Sequence, residues 1–266
     1  MTLYETVSMA VTVAELADRV YAVQAESNIE EIVAKHKFQF CFLVVERNGR
    51  QIGWVELAVD IMRKTDSNRI CDHMELFSPE SIMPATTSVF DAIELLKDQW
   101  CVFCQEKNRI SGVFSFGCFE KLAFKYLLFG IALEIEECVT RAIRFRKFTI
   151  NQVLERLASE RAKVVEKKMR RKKYPDLIEI ITLADKMAIF LNDDQFFKML
   201  PFADYEAADE FLNKLRQLRN RIAHGDIIID LVGDPRKFAI FVREMNQLAR
   251  HLQSIFPADL DEYSAL

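Results

Sequence analysis

The N-terminal part of the chain contains a degenerate repeat, and this repeat restricts the fold more than any other feature of the sequence. Each copy begins with a helical segment that has a capping residue, Ser27 in the first copy and Thr87 in the second. Two strand-like runs separated by a polar turn follow, with the hairpin signal Asn48-Gly49 in the first copy. A further helix is expected after each pair of strands. Because a unit of about 60 residues buries little surface alone, we expect the two copies to pack together.

The sequence changes to helical periodicity from about Phe119 onward. The first three predicted helices cover 119–146, 149–173 and 176–192. The first of them has an apolar stripe through Leu122, Tyr126 and Phe129 that continues near 132–136. A Tyr-Pro-Asp sequence separates the second helix from the third, because the residue before a proline disfavours helical geometry.

Capping signals delimit the last two predicted helices. One is expected to begin at Asp204 and to stop at Gly225, and the other begins at Asp234, which is followed by proline. The apolar stripe of the final helix consists of Phe241, Met245, Leu248, Leu252 and Phe256. The run IIIDLV between the two helices fits either a short strand or a buried connector. The chain is therefore predicted to be α+β, with an α/β region over 1–124 and an all-α helical bundle over 125–266.

Composition narrows the classes of function. Seven glycines and six prolines disfavour a loop-rich or all-β fold, and a net charge of -4 does not indicate a polyanionic partner for the whole molecule. Of the six cysteines, the closest pair is Cys101 and Cys104 in a strand-like run, where residues three apart point to opposite faces. No second pair completes a zinc site. We expect buried, reduced thiols and no metal.

The longest apolar run, from Tyr126 to Ile135, has about half the length of a bilayer span. Charged residues, Lys125 and Glu134, bound it. The N-terminal residues lack the basic segment and apolar core of a secretion signal. These features predict a soluble, cytoplasmic protein without a membrane partner.

Three segments of the repeat resemble those of tandem CBS domains: GRQIGWVEL, NRISGVFSF and SIMPATTSVFDAIELL. The resemblance covers about residues 1–124. It implies a pseudo-symmetric pair of α/β modules with two clefts that hold adenosine-type nucleotides.

The ribose-binding signature of that family has Ser or Thr three residues after a glycine and Asp three residues further on. In the first copy, Glu56 and Val59 occupy these positions, and Asp60 comes one residue late. In the second copy, Ser115 and Cys118 occupy them. The resemblance thus implies Ser115 and Asp60 as nucleotide-binding residues. Because neither copy has the full pair, a dimerising module without a nucleotide is the alternative.

The helical half resembles the HEPN superfamily. The sequence LRNRIAHG matches the Arg-polar-x-x-x-His motif of that family at Arg219, Asn220 and His224, and the first long helix carries acidic residues around Glu134 and Glu137. The resemblance implies a metal-independent endoribonuclease, often a toxin of a toxin–antitoxin pair or a defence effector. Its active site is built across a homodimer, and other members keep the fold without activity.

A helical wheel adds a geometric condition to this prediction. Asn220 and His224, four residues apart, share the face opposite the apolar stripe of this helix, and Arg219 lies on the flank of the stripe. Arg219 and His224 are about 140° apart around an ideal helix axis, which is too far for one helix to bind one phosphate with both. The catalytic hypothesis therefore requires two helices that meet at a two-fold axis. His224 would act as general acid or base, Arg219 would stabilise charge at phosphorus, and Asn220 would orient the phosphate or the partner histidine. The alternative is structural, because a histidine in the last turn of a helix interacts favourably with the exposed carbonyls.

A basic run from Arg161 to Lys173 contains eight Lys or Arg residues and one Glu. It could contact an RNA backbone, although such runs are more often solvated helix ends. The leading functional prediction is an endoribonuclease regulated by the N-terminal pair, with no cofactor required and an adenine nucleotide as regulatory ligand. The alternative is a non-catalytic protein that senses an adenine nucleotide or serves as a dimeric scaffold.

Overall fold

The computed structural model describes residues 11–36, 41–57, 67–171 and 176–257. The described chain is mixed α+β, as predicted, with the strands in its N-terminal part and helices in its C-terminal part. It divides into two compact units, and the boundary between them lies at Phe124 and Lys125.

The N-terminal unit contains two four-stranded sheets. The strands are β1 (Asp18–Arg19), β2 (Tyr21–Gln24), β3 (Phe42–Arg47), β4 (Arg50–Glu56), β5 (Glu75–Leu76), β6 (Ile82–Pro84), β7 (Cys101–Glu106) and β8 (Arg109–Ser115). One sheet has the order β2-β3-β4-β5 and the other has the order β1-β8-β7-β6. The described residues of this unit also include the helices α1 (Val13–Leu16), α2 (Ile29–His36) and α3 (Val89–Leu95).

The two copies of the repeat have the same local architecture, with one element more than the sequence predicts. A short strand precedes the helix in each copy, and it pairs in parallel with the first strand of the hairpin: β2 with β3, and β6 with β7. The predicted final helix of the second copy is instead a 3-10 turn over Phe116–Glu120. Its counterpart in the first copy lies outside the described residues.

The hairpin turns of the two copies use the same backbone geometry with different residues. Asn48 and Gly49 have φ angles of 52° and 74°, and Lys107 and Asn108 have φ angles of 49° and 64°. Positive φ at both central residues is the geometry of a type I′ turn, which fits the twist of a two-stranded hairpin. The first turn confirms the Asn-Gly signal of the sequence.

The two copies also exchange short strands. β1, which precedes the first copy, pairs with β8 of the second, and β5, which precedes the second copy, pairs with β4 of the first. A glycine lies at each crossing. A Cβ atom on Gly53 would overlap the carbonyl oxygen of Glu75, and one on Gly112 would lie 3.0 Å from the Cβ of Ala17. This exchange makes the two copies one unit.

The central strands of the sheets are buried on both faces. Leu43 and Val45 of β3 pack in the core of the first copy, whereas Val44 packs against Phe103 and Val113 of the other sheet. Burial on both faces explains why these strands appear in the sequence as continuous apolar runs.

The C-terminal unit is helical in its described residues. Its helices are α4 (Leu122–Phe145), α5 (Ile150–Glu155), α6 (Ser159–Arg171), α7 (Leu177–Ile180), α8 (Leu183–Leu191), α9 (Asp194–Phe197), α10 (Tyr205–His224) and α11 (Pro235–Ile255). The second and third predicted helices were wrong as continuous elements. The second breaks after Glu155, and the third breaks where Thr182 starts a new helix with a capping box to Asp185.

The capping predictions for the last two helices are confirmed. The side chain of Asp204 accepts a hydrogen bond from the backbone N–H of Ala207, and Gly225 ends α10 with a φ of 77°. Asp234 caps α11 at the backbone N–H groups of Arg236 and Lys237. The whole predicted stripe of α11 is buried. The run IIIDLV forms a 3-10 turn over Ile229–Val232 rather than a strand, with Ile228 buried before it.

The predicted stripe of the first long helix was wrong in its N-terminal part, although Ala132 and Ile135 further along it are buried. Leu122 and Tyr126 are each 63% exposed. The buried face of α4 is instead formed by Phe124, Leu127, Leu128, Ile131, Ala132, Ile135, Cys138, Val139 and Ala142. This helix is apolar on more than one face, so its periodicity could not identify the face that packs inside.

Candidate functional site

The N-terminal unit contains a cleft of about 670 Å³ where β4, β5 and the start of β7 come together. Its lining consists of Trp54, Glu56, Glu75, Leu76, Ser78, Ser81, Asp98, Gln99, Trp100, Cys101 and Phe103. Both tryptophans of the chain are among these residues. The strand exchange creates the cleft, because β5 brings Glu75 and Leu76 to the edge of β4.

Aromatic rings form one part of this cleft. The ring centroid of Trp54 lies 5.3 Å from that of Phe103 and 5.8 Å from that of Phe42, so its indole is fixed by packing. Trp100 is 67% exposed and contacts Phe116 edge to face at 5.9 Å. The cleft thus has one anchored indole and one indole that is largely open to solvent.

Acidic side chains form the other part of the cleft. Glu56, Glu75 and Asp98 line it, and among the described residues the lining includes no lysine, arginine or histidine. Burial raises the pKa of the Cys101 thiol to about 12, and the nearby Glu56 and Glu75 act in the same direction. Burial is the largest cause of this pKa shift, and the two carboxylates add to it because they disfavour a thiolate nearby.

Among the described residues, the positions of the nucleotide signature are divided between this cleft and other parts of the unit. Glu56, at the Ser/Thr position of the first copy, lines it, whereas Asp60 lies outside the described residues. Ser115 ends β8 and is not part of the lining. Cys118 is fully buried, with its sulfur 3.7 Å from a carboxylate oxygen of Asp18, and burial raises the pKa of its thiol. Cys118 therefore cannot replace an aspartate that binds ribose hydroxyls.

Sequence reasoning missed Trp54, Trp100, Glu75 and Asp98 as site residues. The available signal was the rarity of tryptophan, since one of the two follows the glycine of the first copy and the other precedes β7. Glu75 gave no local signal, because its place in the cleft depends on the pairing of β5 with β4.

The predicted catalytic residues lie on the last turns of α10. Asn220 and His224 are exposed and Arg219 is half-buried, in agreement with the helical wheel. An Arg219 guanidinium nitrogen lies 3.4 Å from the Asn220 side-chain oxygen, and the buried Nε of Arg219 has no hydrogen-bond partner among the described residues. His224 makes no hydrogen bond or ion pair with any residue that the structure describes. One chain thus brings Arg219 and Asn220 together but leaves His224 apart.

The loop after α10 is fixed by two contacts to its backbone. Lys125 of α4 donates to the carbonyl oxygen of Asp226 at 2.9 Å, and Arg221 donates to that of Ile227 at 3.0 Å. Tyr126, next to Lys125, and Ile227 are both exposed. Apolar side chains are therefore present on the surface close to the predicted catalytic helix end.

The predicted acidic residues of the first long helix, Glu134 and Glu137, both lie close to the guanidinium of Arg141. Glu134 is buried and lies 3.4 Å from a guanidinium nitrogen of Arg141, which is itself buried. The Nε of Arg141 donates to the backbone carbonyl of Phe256 at 3.0 Å, which ties α4 to the end of α11. Glu137 is exposed and lies 3.9 Å from the same arginine.

One residue of the basic run, Arg161, makes a structural ion pair inside the helical unit. Arg161 makes two hydrogen bonds of 2.7 Å to the buried carboxylate of Asp185. Burial of Asp185 opposes its ionisation, but the hydrogen bonds from Arg161 and Thr182 outweigh burial and lower its pKa. The exposed side chains of α6, including Lys163, Lys167 and Arg170, form a solvated basic surface.

The cysteines and possible metal ligands carry no metal site in the described residues. Cys101, Cys104, Cys118 and Cys138 are buried, as predicted, whereas Cys41 is exposed and Cys71 is half-buried. No group of three or more His, Cys, Asp or Glu side chains that could hold a metal ion occurs within the described ranges. No described helix is long and apolar enough to cross a membrane.

Comparison with known proteins gives structural neighbours only. No protein-family model matches the chain, and no curated protein matches it. An uncharacterized conserved protein from Pyrococcus horikoshii is 14% identical, with 42% of this chain and 90% of that chain covered and a TM-score of 0.37. The CBS domains of a transcriptional regulator from Streptococcus pneumoniae are 16% identical, with 42% and 99% covered and a TM-score of 0.35.

A third neighbour is the structure of CBSX2 in complex with AMP, which is 17% identical, covers 41% of this chain and 92% of that chain, and has a TM-score of 0.33. These matches concern the N-terminal two fifths of the chain. At such scores they do not place the chain in a family.

Proposed function

We propose that the N-terminal unit is a CBS-type pair that senses a ring-containing small molecule in the Trp54–Trp100 cleft and thereby regulates the helical unit. The observation that carries this proposal is the position of the cleft. It includes Glu56, at the place where the family signature puts a ribose-binding side chain. The reciprocal strand exchange, with its two glycine crossings, supports a pseudo-symmetric pair.

The size and lining of the cleft suit a ligand that contains a ring. Small-molecule sites usually have volumes of about 300–1,000 Å³, with aromatic walls and a few placed polar groups. The indoles of Trp54 and Trp100 supply ring surfaces, and the Glu56 carboxylate can accept hydrogen bonds from hydroxyl groups. An adenine nucleotide is the ligand that the resemblance implies, and the cleft offers partners for its ring and ribose.

Tryptophan fluorescence tests this proposal directly, because both tryptophans line the cleft. The full chain is titrated with adenosine, AMP, nicotinamide and 1-methylnicotinamide, and binding is confirmed by calorimetry. We expect at least one of these compounds to bind saturably. Trp100→Ala should weaken binding about tenfold through the loss of a stacking surface, whereas Trp100→Phe, which retains a ring, should weaken it less. Absence of saturable binding by all four compounds would refute the sensing function.

We propose a second function for the helical unit, a metal-independent endoribonuclease whose site forms across a homodimer. Three features support it: the exposed Asn220 and His224, the Arg219 guanidinium next to Asn220, and the exposed apolar side chains of Tyr126 and Ile227 nearby. The terminal N–H groups of a guanidinium are suited to bind phosphate oxygens.

The roles of the three residues follow from their chemistry. His224 accepts the proton of a ribose 2′-hydroxyl, and the 2′-oxygen attacks the adjacent phosphorus. The bond from phosphorus to the 5′-oxygen breaks, and that oxygen takes a proton from water as it leaves. Arg219 of the facing chain stabilises the negative charge on the pentavalent phosphorus, and Asn220 orients the phosphate. The products are a 2′,3′-cyclic phosphate and a 5′-hydroxyl end.

Incubation of the purified protein with mixed RNA in the presence of EDTA tests this activity. His224→Ala should lower cleavage by about 100-fold, which is typical for the loss of a general acid or base. Gln217→Ala, at an exposed position of the same helix, serves as the control and should leave cleavage unchanged. Equal cleavage by the wild type and His224→Ala, or no cleavage by either, would exclude the proposed mechanism.

A mixing experiment tests the shared site. In a heterodimer of Arg219→Ala and His224→Ala chains, one of the two sites keeps both wild-type residues if the site is built across the dimer. Random exchange of subunits should then restore about a quarter of wild-type activity, as two-fold symmetry requires. No recovery after confirmed exchange would contradict a site shared between chains.

A further inference from the structure

The charge of the Trp54–Trp100 cleft restricts the class of ligand more than the volume of the cleft does. Glu56, Glu75 and Asp98 contribute three carboxyl groups, and none of the described residues that line the cleft is basic. Glu75 and Asp98 form no ion pair with any described residue. A phosphate group placed among these carboxylates would meet electrostatic repulsion.

The aromatic side chains, like the acidic ones, favour a positively charged ligand. The face of an indole carries negative electrostatic potential and attracts a cation within about 6 Å of its centre, and tryptophan is the best aromatic residue for this contact. Trp54 is held in place by Phe42 and Phe103, and the largely exposed Trp100 leaves its ring open to a ligand. Phe103 adds a third ring to the lining.

We infer that this cleft selects a flat organic cation without a phosphate group, such as an N-alkylated aromatic heterocycle. The inference rests on the proposed sensing function and names its ligand class. The positive ring lies against the indole of Trp54 or Trp100, and the carboxylates of Glu75 and Asp98 supply the balancing charge. An anionic nucleotide has the ring for this site but the wrong sign of charge.

The test compares two ligands that differ in charge but hardly in shape. 1-Methylnicotinamide carries a permanent positive charge on its ring, and nicotinamide is its neutral counterpart. In calorimetric titrations of the full chain at low ionic strength, we expect 1-methylnicotinamide to bind about tenfold more tightly than nicotinamide. AMP should bind more weakly than either compound, and added salt should reduce the preference for the cation.

Charge-removing variants test which residues create the preference. Glu75→Gln combined with Asp98→Asn keeps the shape of the lining, and it should bring the affinities for 1-methylnicotinamide and nicotinamide close to equal. Glu80→Gln is the matched control. It removes one negative charge, half of that lost in the double variant, from an exposed position on the neighbouring turn outside the lining, and should leave the preference unchanged.

The possible outcomes distinguish a failure of the cation preference from a failure of the sensing function on which it rests. Equal binding of the charged and neutral compounds, or tighter binding of AMP, would overturn the cation preference and leave a sensing cleft in place. A preference that survives in the double variant would also overturn it. Absence of binding by all compounds would remove both proposals together.

Discussion

The two copies of the N-terminal repeat have almost the same backbone but different chemistry. Each has a type I′ hairpin, a parallel strand before its helix and a glycine where the exchanged strand crosses. After that glycine, the first copy has Trp54 and Glu56, and the second has Val113 and Ser115. The two copies thus share backbone geometry where strands cross and turn, and they differ in the side chains that follow the glycine.

The exchanged strands show the same contrast. Asp18 of β1 and Glu75 of β5 occupy equivalent positions, opposite Val113 and Trp54 respectively. Asp18 is neutralised by Lys121, whose Nζ lies 2.6 Å from its carboxylate. Glu75 has no ion pair within the described residues and lines the cleft. The exchanged strand that pairs with the first copy therefore places a carboxylate in the cleft, and the one that pairs with the second copy uses its carboxylate for a structural contact.

Substitution of the two glycines at the strand crossings should give the largest difference in stability between the copies. Gly53→Ala should lower the free energy of unfolding by about 3 kcal/mol, because the new Cβ overlaps the backbone oxygen of Glu75, which cannot easily move. Gly112→Ala should cost about 1 kcal/mol, because its nearest neighbours lie 3.0 and 3.1 Å away. Urea denaturation measures both values.

Gly130→Ala in α4 is the control for this pair. A Cβ at Gly130 would meet no atom within 4 Å, and alanine should stabilise the helix by up to about 1 kcal/mol. A cost for Gly112→Ala equal to or above that for Gly53→Ala would contradict the expected difference between the crossings.

Exchange of the residues in the hairpin turns should give a smaller difference in stability. Replacement of Lys107-Asn108 by the Asn-Gly sequence of the first copy should stabilise the protein by about 1 kcal/mol, because glycine and asparagine adopt positive φ with little strain. The reverse exchange at Asn48-Gly49 should cost a similar amount. Thermal denaturation measures both, and Lys107→Gln, which retains a residue poorly suited to positive φ, should have no effect. Destabilisation by the Asn-Gly replacement would show that the second turn has other requirements.

The smallest difference is expected from the equivalent carboxylates of the exchanged strands. Asp18→Asn should lower the free energy of unfolding by roughly 0.5 kcal/mol, the usual value for an exposed ion pair. Glu75→Gln should cause no loss in the absence of ligand, since Glu75 has no ion pair to lose within the described residues. Urea denaturation at low and high salt distinguishes them, because salt should reduce only the effect of Asp18→Asn. An equal loss from both variants would contradict the asymmetry.

Local signals allowed much of the helical unit to be predicted. The side chain of Asp204 and the left-handed conformation of Gly225 act on their own helix, so the sequence is sufficient to place both ends of α10. The same holds for Asp234 at the start of α11. The break at Thr182 was missed, although it too is a local signal, because the surrounding residues continue a helical pattern.

Non-local contacts account for the predictions that failed. The strands β2 and β6 have four and three residues, too few for an alternating pattern, and each is defined by a parallel partner far along the chain. The outer face of α4 carries apolar side chains such as Leu122 and Tyr126, so only packing could identify its inner face. The exposure of Asn220 and His224 followed from the wheel alone, since it depends on one helix.

The sequence by itself determined the two-part organisation, the hairpin at Asn48-Gly49, the caps of the last two helices and the residues of the Arg-Asn-x-x-x-His motif, because each of these depends on neighbours along the chain. Only the tertiary structure decided that the repeat copies exchange strands and that Trp54, Glu75, Asp98 and Trp100 share one cleft. The physical reason is that backbone pairing between β4 and β5 sets which distant side chains meet. That pairing uses groups that every residue possesses, and only the glycine at the crossing marks it in the sequence.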